Sequence, residues 1–211
     1  MRTVSYADFK NRFTSAIGVD TLLTAEETAL KRSLNDRVRG AWTRNKWPEL
    51  LNVVTKTVSA VSTGTMQADR AVQIDNAADL FDVYAVWDKV PWEDRTARQI
   101  SYSLLGGYLV LPADTSETTV YVVGSQVPAN DYGDGTTTLP QFLERHLLAG
   151  CIASYYVSDG QNDKAAQEEA RAEEYLFHEI DRVERLQSQN GIVMNSYPAG
   201  WPNLLITQTT V

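Results

Sequence analysis

The sequence predicts an α+β fold, mainly α: a four-helix bundle with a small antiparallel β module inserted between two helical hairpins, plus an extended C-terminal tail. Three observations predict it. Apolar residues recur at spacings of three and four before residue 50 and again after residue 138, the pattern of helices with one buried stripe. Between them, β-branched and aromatic residues cluster in short runs separated by turn residues. After Gly191 the chain carries Pro198, Gly200 and Pro202 among apolar residues, too broken for a regular element. The expected division is therefore residues 1–50 and 138–190 as the bundle, 51–137 as the inserted β module, and 191–211 as a C-terminal arm.

The first helix is expected to start at Ser5, whose hydroxyl can cap the next turn, with Asp8 placed where the helix dipole favours an anion. Tyr6, Phe9, Phe13 and Ile17 form its stripe, and Gly18 supplies a left-handed stop. Thr24-Ala25-Glu26-Glu27 reads as a capping box for the second helix, with Thr24 as the cap and Glu27 reaching back. Leu30, Leu34, Val38, Ala41 and Trp42 form its buried face, and Trp47-Pro48 ends it, because proline removes a helix donor and disfavours helical geometry before it.

In the middle third, Val53–Val61 reads as a weak strand and residues 80–87 as a stronger one. Ile100, Tyr102 and Leu104 alternate with serines as one half-buried strand; Gly106-Gly107 is a hairpin turn, and Tyr108–Leu111 is the returning strand. Thr119–Val123 adds a third strand, giving a small meander with Asn130–Gly135 as a mobile exit loop. Pro140 suits the first position of the third helix, with Phe142, Leu143, Leu147, Cys151, Ile152 and Tyr155 as its wide apolar face; Asp159-Gly160 stops it. A fourth helix runs from about Lys164 to Gln189 and stops at Gly191.

The net charge of -8 is unevenly spread. Residues 1–50 hold nine basic against six acidic side chains (+3), residues 51–137 five against eleven (-6), and residues 138–211 five against ten (-5). An acidic chain repels a phosphate backbone unless its basic residues cluster, and the one cluster is Lys31, Arg32, Arg37, Arg39, Arg44 and Lys46 on the second helix. That stripe is either a solvated helix face or a contact for an acidic partner, including a neighbouring copy. No run reaches the ~18–20 apolar residues of a membrane span, and the first residues lack the apolar core of a signal peptide, so no membrane partner is expected.

Cys151 is the single cysteine and reads as a core residue; His146 and His178 read as surface or boundary residues rather than ligands. No phosphate loop, histidine-based metal spacing or nucleophile elbow is present. No catalytic residue, cofactor or metal site is expected, and the chain reads as a non-enzyme. Tyr197, Trp201, Leu204, Leu205 and Ile206 in the arm would be exposed unless they dock, which makes them, with Arg37, Arg44 and Lys46, the candidate partner interface.

Three stretches carry a family resemblance. They are Leu34-Asn35 with Ala41-Trp42 and Trp47-Pro48-Glu49-Leu50; the block of Phe81–Tyr84, Pro91-Trp92, Ile100–Tyr102, Leu109–Leu111 and Val120–Val122; and Leu139-Pro140 leading to Ala153–Tyr156, Asp159–Gln161 and Lys164-Ala165. In order and spacing, over residues 3–190, they resemble the head-to-tail adaptor (connector) proteins of tailed bacteriophages, of the tail-tubular or gatekeeper type. The resemblance implies a structural virion protein of the neck, present in the host cytoplasm during assembly. It would form a ring of about twelve copies, closed by contacts between neighbours, beneath a portal protein. Tail or nozzle proteins would dock on the far side, and genomic DNA would pass through the lumen without sequence-specific binding. The arm resembles those such adaptors use to grip the portal or a neighbour.

Two other classes compete. A hydrolase would use Asp82, Asp88, Glu93 and Asp94 near Trp87 and Trp92, but needs one carboxyl kept protonated in an apolar pocket. A DNA-binding module would use the basic second helix, and needs that face free.

Overall fold

The computed structural model describes residues 2–63, 66–75, 79–133, 135 and 137–189. In chain order the elements are β1 (Thr3–Ser5), α1 (Tyr6–Ile17), α2 (Thr24–Arg44), a 3-10 turn (Pro48–Leu50), β2 (Leu51–Thr57), β3 (Ser59–Thr63), β4 (Met66–Gln73), β5 (Asp82–Trp87), β6 (Gln99–Ile100), β7 (Ser103–Leu105), β8 (Tyr108–Val110), β9 (Thr119–Ser125), β10 (Thr138–Pro140), a second 3-10 turn (Gln141–Leu143), α3 (Glu144–Ser158) and α4 (Asn162–Gln189). The described residues divide into two compact units, one from residues 2–46 with 128–189 and the other from residues 47–127.

The expected mainly helical four-helix bundle is not what forms. Among the described residues the fold is mixed, with four helices and three antiparallel sheets; helix covers 45% and strand 25%, too much strand for a mainly helical class. In the helical unit the departure comes from α3. Its buried residues include His146, Leu147, Ala149, Gly150, Cys151, Ile152 and Ala153, which go round the helix rather than along one stripe. Helix α3 is therefore a central rod, and α1, α2 and α4 each pack on it. A bundle would need four helices with one inward stripe each. The unit also has a two-stranded sheet, β1 with β10, which pairs Val4 with Leu139 and buries both.

Helix ends follow local chemistry. Ser5 accepts from the Asp8 amide at 3.1 Å to cap α1, and Gly18 closes it at φ 76°. Only half of a capping box forms at α2, one residue earlier than expected: Leu23 is the cap, its side chain has no oxygen to accept with, and its amide donates to Glu26 at 2.8 Å. Glu27 is thereby released to pair with Lys10 at 2.6 Å on α1. Pro140 closes β10 and leads into the 3-10 turn, so α3 begins at Glu144 rather than at the proline. The loop expected to be mobile is held: the Tyr132 amide donates to the Asn35 Oδ1 at 2.9 Å, Asn35 donates to Asp131 at 2.9 Å, and the Tyr132 ring is buried against Trp42.

The β unit is two four-stranded antiparallel sheets, β2-β9-β5-β6 and β3-β4-β8-β7, rather than a meander. They share one core: Val86, Val120 and Val122 from the first sheet meet Val72, Leu109 and the flanking Leu111 from the second. Two segments read as single strands pass from one sheet to the other. Residues 53–61 leave the first sheet at Thr57 and enter the second at Ser59; Ile100 ends β6, and Ser103 starts β7 in the other sheet. Gly124 faces the register shift between Val83 and Ala85, where a Cβ would lie 2.0 Å from the Asp82 carbonyl oxygen.

Candidate functional site

A charged groove of the helical unit runs between α2 and α4 over α3, with a volume of about 550 Å³, and is lined by Arg32, Ser33, Arg37, Arg44, His146, Ser154 and Glu173 among others. Its centre is Arg37. This side chain donates from Nη1 and Nη2 to the two carboxylate oxygens of Glu169, at 3.1 and 2.6 Å, and from Nη2 to Ser154 Oγ at 3.2 Å. The fork-on-carboxylate geometry makes each bond stronger than a neutral one. Gly150 is what lets the guanidinium cross α3: a Cβ there would sit 2.3 Å from Nη1. Arg37 therefore ties three helices together, and its hydrogen bond holds the Glu169 carboxyl below the ordinary carboxylate range. One turn along α4, Glu173 lies 3.6 Å from Arg44.

His146 is buried, not at the surface as expected from the sequence, with Nδ1 2.9 Å from the Ala172 carbonyl oxygen. Burial lowers its pKa, and nearby Arg37 adds to the effect, so the imidazole is neutral near pH 7. Ser33 donates to Ser154 at 2.9 Å, and Ser154 donates to the Gly150 carbonyl at 3.1 Å. The serine hydroxyls thus serve the backbone and Arg37. Cys151 is in the core, its thiol pushed up to about 12 by burial, which keeps it protonated and unreactive. Among the described residues no group of three His, Cys, Asp or Glu side chains is placed to hold a metal ion, and no helix is long and apolar enough to cross a membrane.

The candidate interface residues read from the sequence separate. Arg37 and Arg44 face Glu169 and Glu173 of the same unit; Lys46, just past the end of α2, receives the Asn45 side-chain oxygen on its amide at 2.7 Å. Tyr197, Trp201, Leu204, Leu205 and Ile206 lie outside the described residues. The acidic partners of Arg37 and Arg44 are two of the acids that give residues 138–211 their charge of -5, but nothing local in the sequence matches one arginine to one glutamate 132 residues away.

The β unit carries the other candidate surface. Its acidic turn is a locked loop: the Asp94 carboxylate accepts from the Thr96 amide at 2.8 Å and hydroxyl at 2.7 Å and pairs with Lys89 at 2.9 Å. These bonds, the Thr96 hydroxyl foremost, hold its pKa at about 2. Asp88 accepts from the Arg98 amide at 2.6 Å across the base of the loop. Asp94 is thus a structural anion, the opposite of the raised acid that hydrolysis by paired carboxylates needs. The loop presents Trp92, 64% exposed, on a prefixed backbone. At the end of the second sheet, Leu104 and Leu105 of β7 stand 59% and 54% exposed beside the Gly106-Gly107 turn. Reasoning from the sequence missed these leucines as surface groups, because the alternation Ile100-Tyr102-Leu104 placed Leu104 on one continuous half-buried strand and Leu105 went with the glycine break that follows it.

Neither a protein-family model nor a curated protein matches the chain.

Proposed function

We propose that this chain is a structural virion protein, a head-to-tail adaptor that forms an oligomeric ring bound to a portal protein and offers a docking platform to the tail. The observation that carries the reading is the placement of large apolar side chains on the surface of both units while Arg37 and Arg44 of the groove are paired internally. The helical unit exposes Leu23, Val157 and Phe177, and the β unit exposes Trp92, Leu104 and Leu105. Aromatic and aliphatic anchors on a prefixed backbone suit protein contact, since little side-chain or loop entropy is lost on docking. The net charge of -8 suits a lumen through which DNA slides, because like charge gains nothing from counterion release. With Arg37 and Arg44 already paired to glutamates, the basic stripe gives no support to a DNA-binding module.

The decisive experiment is mass measurement of the purified protein, alone at low concentration and mixed with a candidate portal. The expected result is a monomer alone and a ring on the portal. A stable free monomer that never associates with portal or virion overturns the reading.

A further inference from the structure

The β7 strand is the outer strand of the sheet β3-β4-β8-β7, and among the described residues no strand lies on its far side. Its register with β8 pairs Leu105 with Tyr108 and Leu104 with Leu109. The two-residue loop has both glycines at positive φ, 58° and 83°, the twist of a tight hairpin turn. In such a hairpin the residues flanking the loop, Leu105 and Tyr108, exchange hydrogen bonds, and the next pair does not. The amide and carbonyl of Leu104 therefore point away from β8, toward the open edge. All three residues of β7 are exposed, so the edge is apolar as well as unpaired. Natural edges are usually protected by charge, proline or a covering element; Ser103-Leu104-Leu105 carries no charge or proline, and among the described residues no strand covers it.

The arm holds a segment with the matching chemistry. Leu204-Leu205-Ile206-Thr207-Gln208-Thr209-Thr210-Val211 has no glycine, proline or charge and is rich in β-branched residues, the composition of a strand. The 22 residues from Asn190 to Val211 can span on the order of 70 Å when extended, enough to reach a neighbouring molecule. We propose that Leu204–Val211 of one copy adds as a fifth strand to the open edge of β7 in a second copy, by main-chain pairing at Leu104 with Leu104 and Leu105 covered by its side chains. This inference needs only two copies of the chain and stands independently of the portal reading.

The test uses a fluorescent peptide of Leu204–Val211 and the full chain, held at a concentration where it is monomeric. Anisotropy is expected to rise saturably. Two peptides N-methylated on alternate residues separate main-chain pairing from simple apolar contact, because only one edge of an added strand faces β7. One alternate set is expected to weaken binding at least tenfold, and the other to leave it unchanged. Leu104→Pro removes the outward amide and is expected to weaken binding at least tenfold with the far-UV spectrum intact; if that variant does not fold, the N-methyl pair decides. Raising the full chain above the peptide's Kd is expected to produce association that the free peptide inhibits. No peptide binding, equal binding by both N-methyl sets, undiminished binding to a folded Leu104→Pro, or association indifferent to peptide would each overturn the proposal.

Discussion

Substituting Gly150 by alanine tests the central contact of the helical unit, because two effects of opposite sign meet there. In a helix interior, Gly→Ala stabilises by about 1 kcal/mol through lost unfolded-chain freedom. Here the new Cβ would lie 2.3, 2.6 and 2.7 Å from Nη1, Cζ and Cδ of Arg37, closer than atoms can approach, so the guanidinium must leave. With it go the fork on Glu169 and the bond to Ser154. A charge-assisted pair contributes about 1.5–3 kcal/mol when dry; Glu169 is 47% exposed, which favours the lower end, about 1.5 kcal/mol. The Ser154 bond adds about 0.5–1 kcal/mol. Gly150→Ala is therefore expected to destabilise the helical unit by about 1 kcal/mol. In an Arg37→Ala background the obstacle is gone, and the same change should stabilise by about 1 kcal/mol, a coupling of about 2 kcal/mol. Urea unfolding followed by far-UV circular dichroism at pH 7 measures all four corners of the cycle. If Gly150→Ala stabilises both backgrounds equally, Arg37 does not cross α3 at this glycine, and the three-helix staple is wrong.

Gly124→Ala places a Cβ 2.0 Å from a backbone oxygen that no side-chain movement can relieve, so the β unit should lose about 1–3 kcal/mol, read as a lower urea midpoint of its near-UV signal. For His146 the folded pKa lies below the unfolded one, so the unfolded chain binds more protons and stability falls as pH drops below about 6.5. Glu169 acts in the same direction at lower pH: its depressed folded pKa gives stability present above the unfolded pKa and lost as pH falls through the folded one. Helical melting temperature is thus expected to fall between pH 7 and 5, and His146→Gln to flatten that slope while leaving the loss below pH 5. The buried Cys151 thiol, with its pKa near 12, should resist iodoacetamide at pH 8 in the folded chain and react at the ordinary thiol rate in urea; fast alkylation without urea would place it outside the core.

Features set by a few neighbouring residues were legible. Ser5 with Asp8, Gly18, the Gly106-Gly107 turn and the Asp159-Gly160 stop follow from local backbone chemistry, and the structure has them where the spacing put them. The strand β4 was missed because Met66–Gln73 carries Asp69 and Arg70 and lacks a clean apolar alternation; it is held by pairing with the neighbouring β3 and with β8, a partner remote in sequence. Residues 53–61 and 100–104 read as continuous because composition does not change where a strand crosses between sheets; the crossing is a tertiary event. Likewise, the small residues Ala149, Gly150 and Ala153 allow a neighbouring helix to come close, but nothing in their spacing says that α3 is surrounded, which turns the expected bundle into helices around a rod.

Charge shows the same limit in a form that bears on function. The +3 of residues 1–50 against the -6 of residues 51–137 suggests complementary surfaces between copies, because sequence reports net charge by segment and not which charges meet. In the folded helical unit, Lys10 meets Glu27, Arg12 meets Glu144, Arg37 meets Glu169 and Arg44 meets Glu173, so several basic groups of residues 1–50 already have acidic partners within one chain. The fold also leaves apolar groups exposed for contacts between copies, among them the locked Trp92 loop and the Leu104-Leu105 edge. An association built on such anchors should depend weakly on salt, whereas one built on the charge split should weaken steeply as ionic strength rises. The salt dependence of self-association therefore discriminates the two, and the pairing of Arg37 and Arg44 favours the shallow slope.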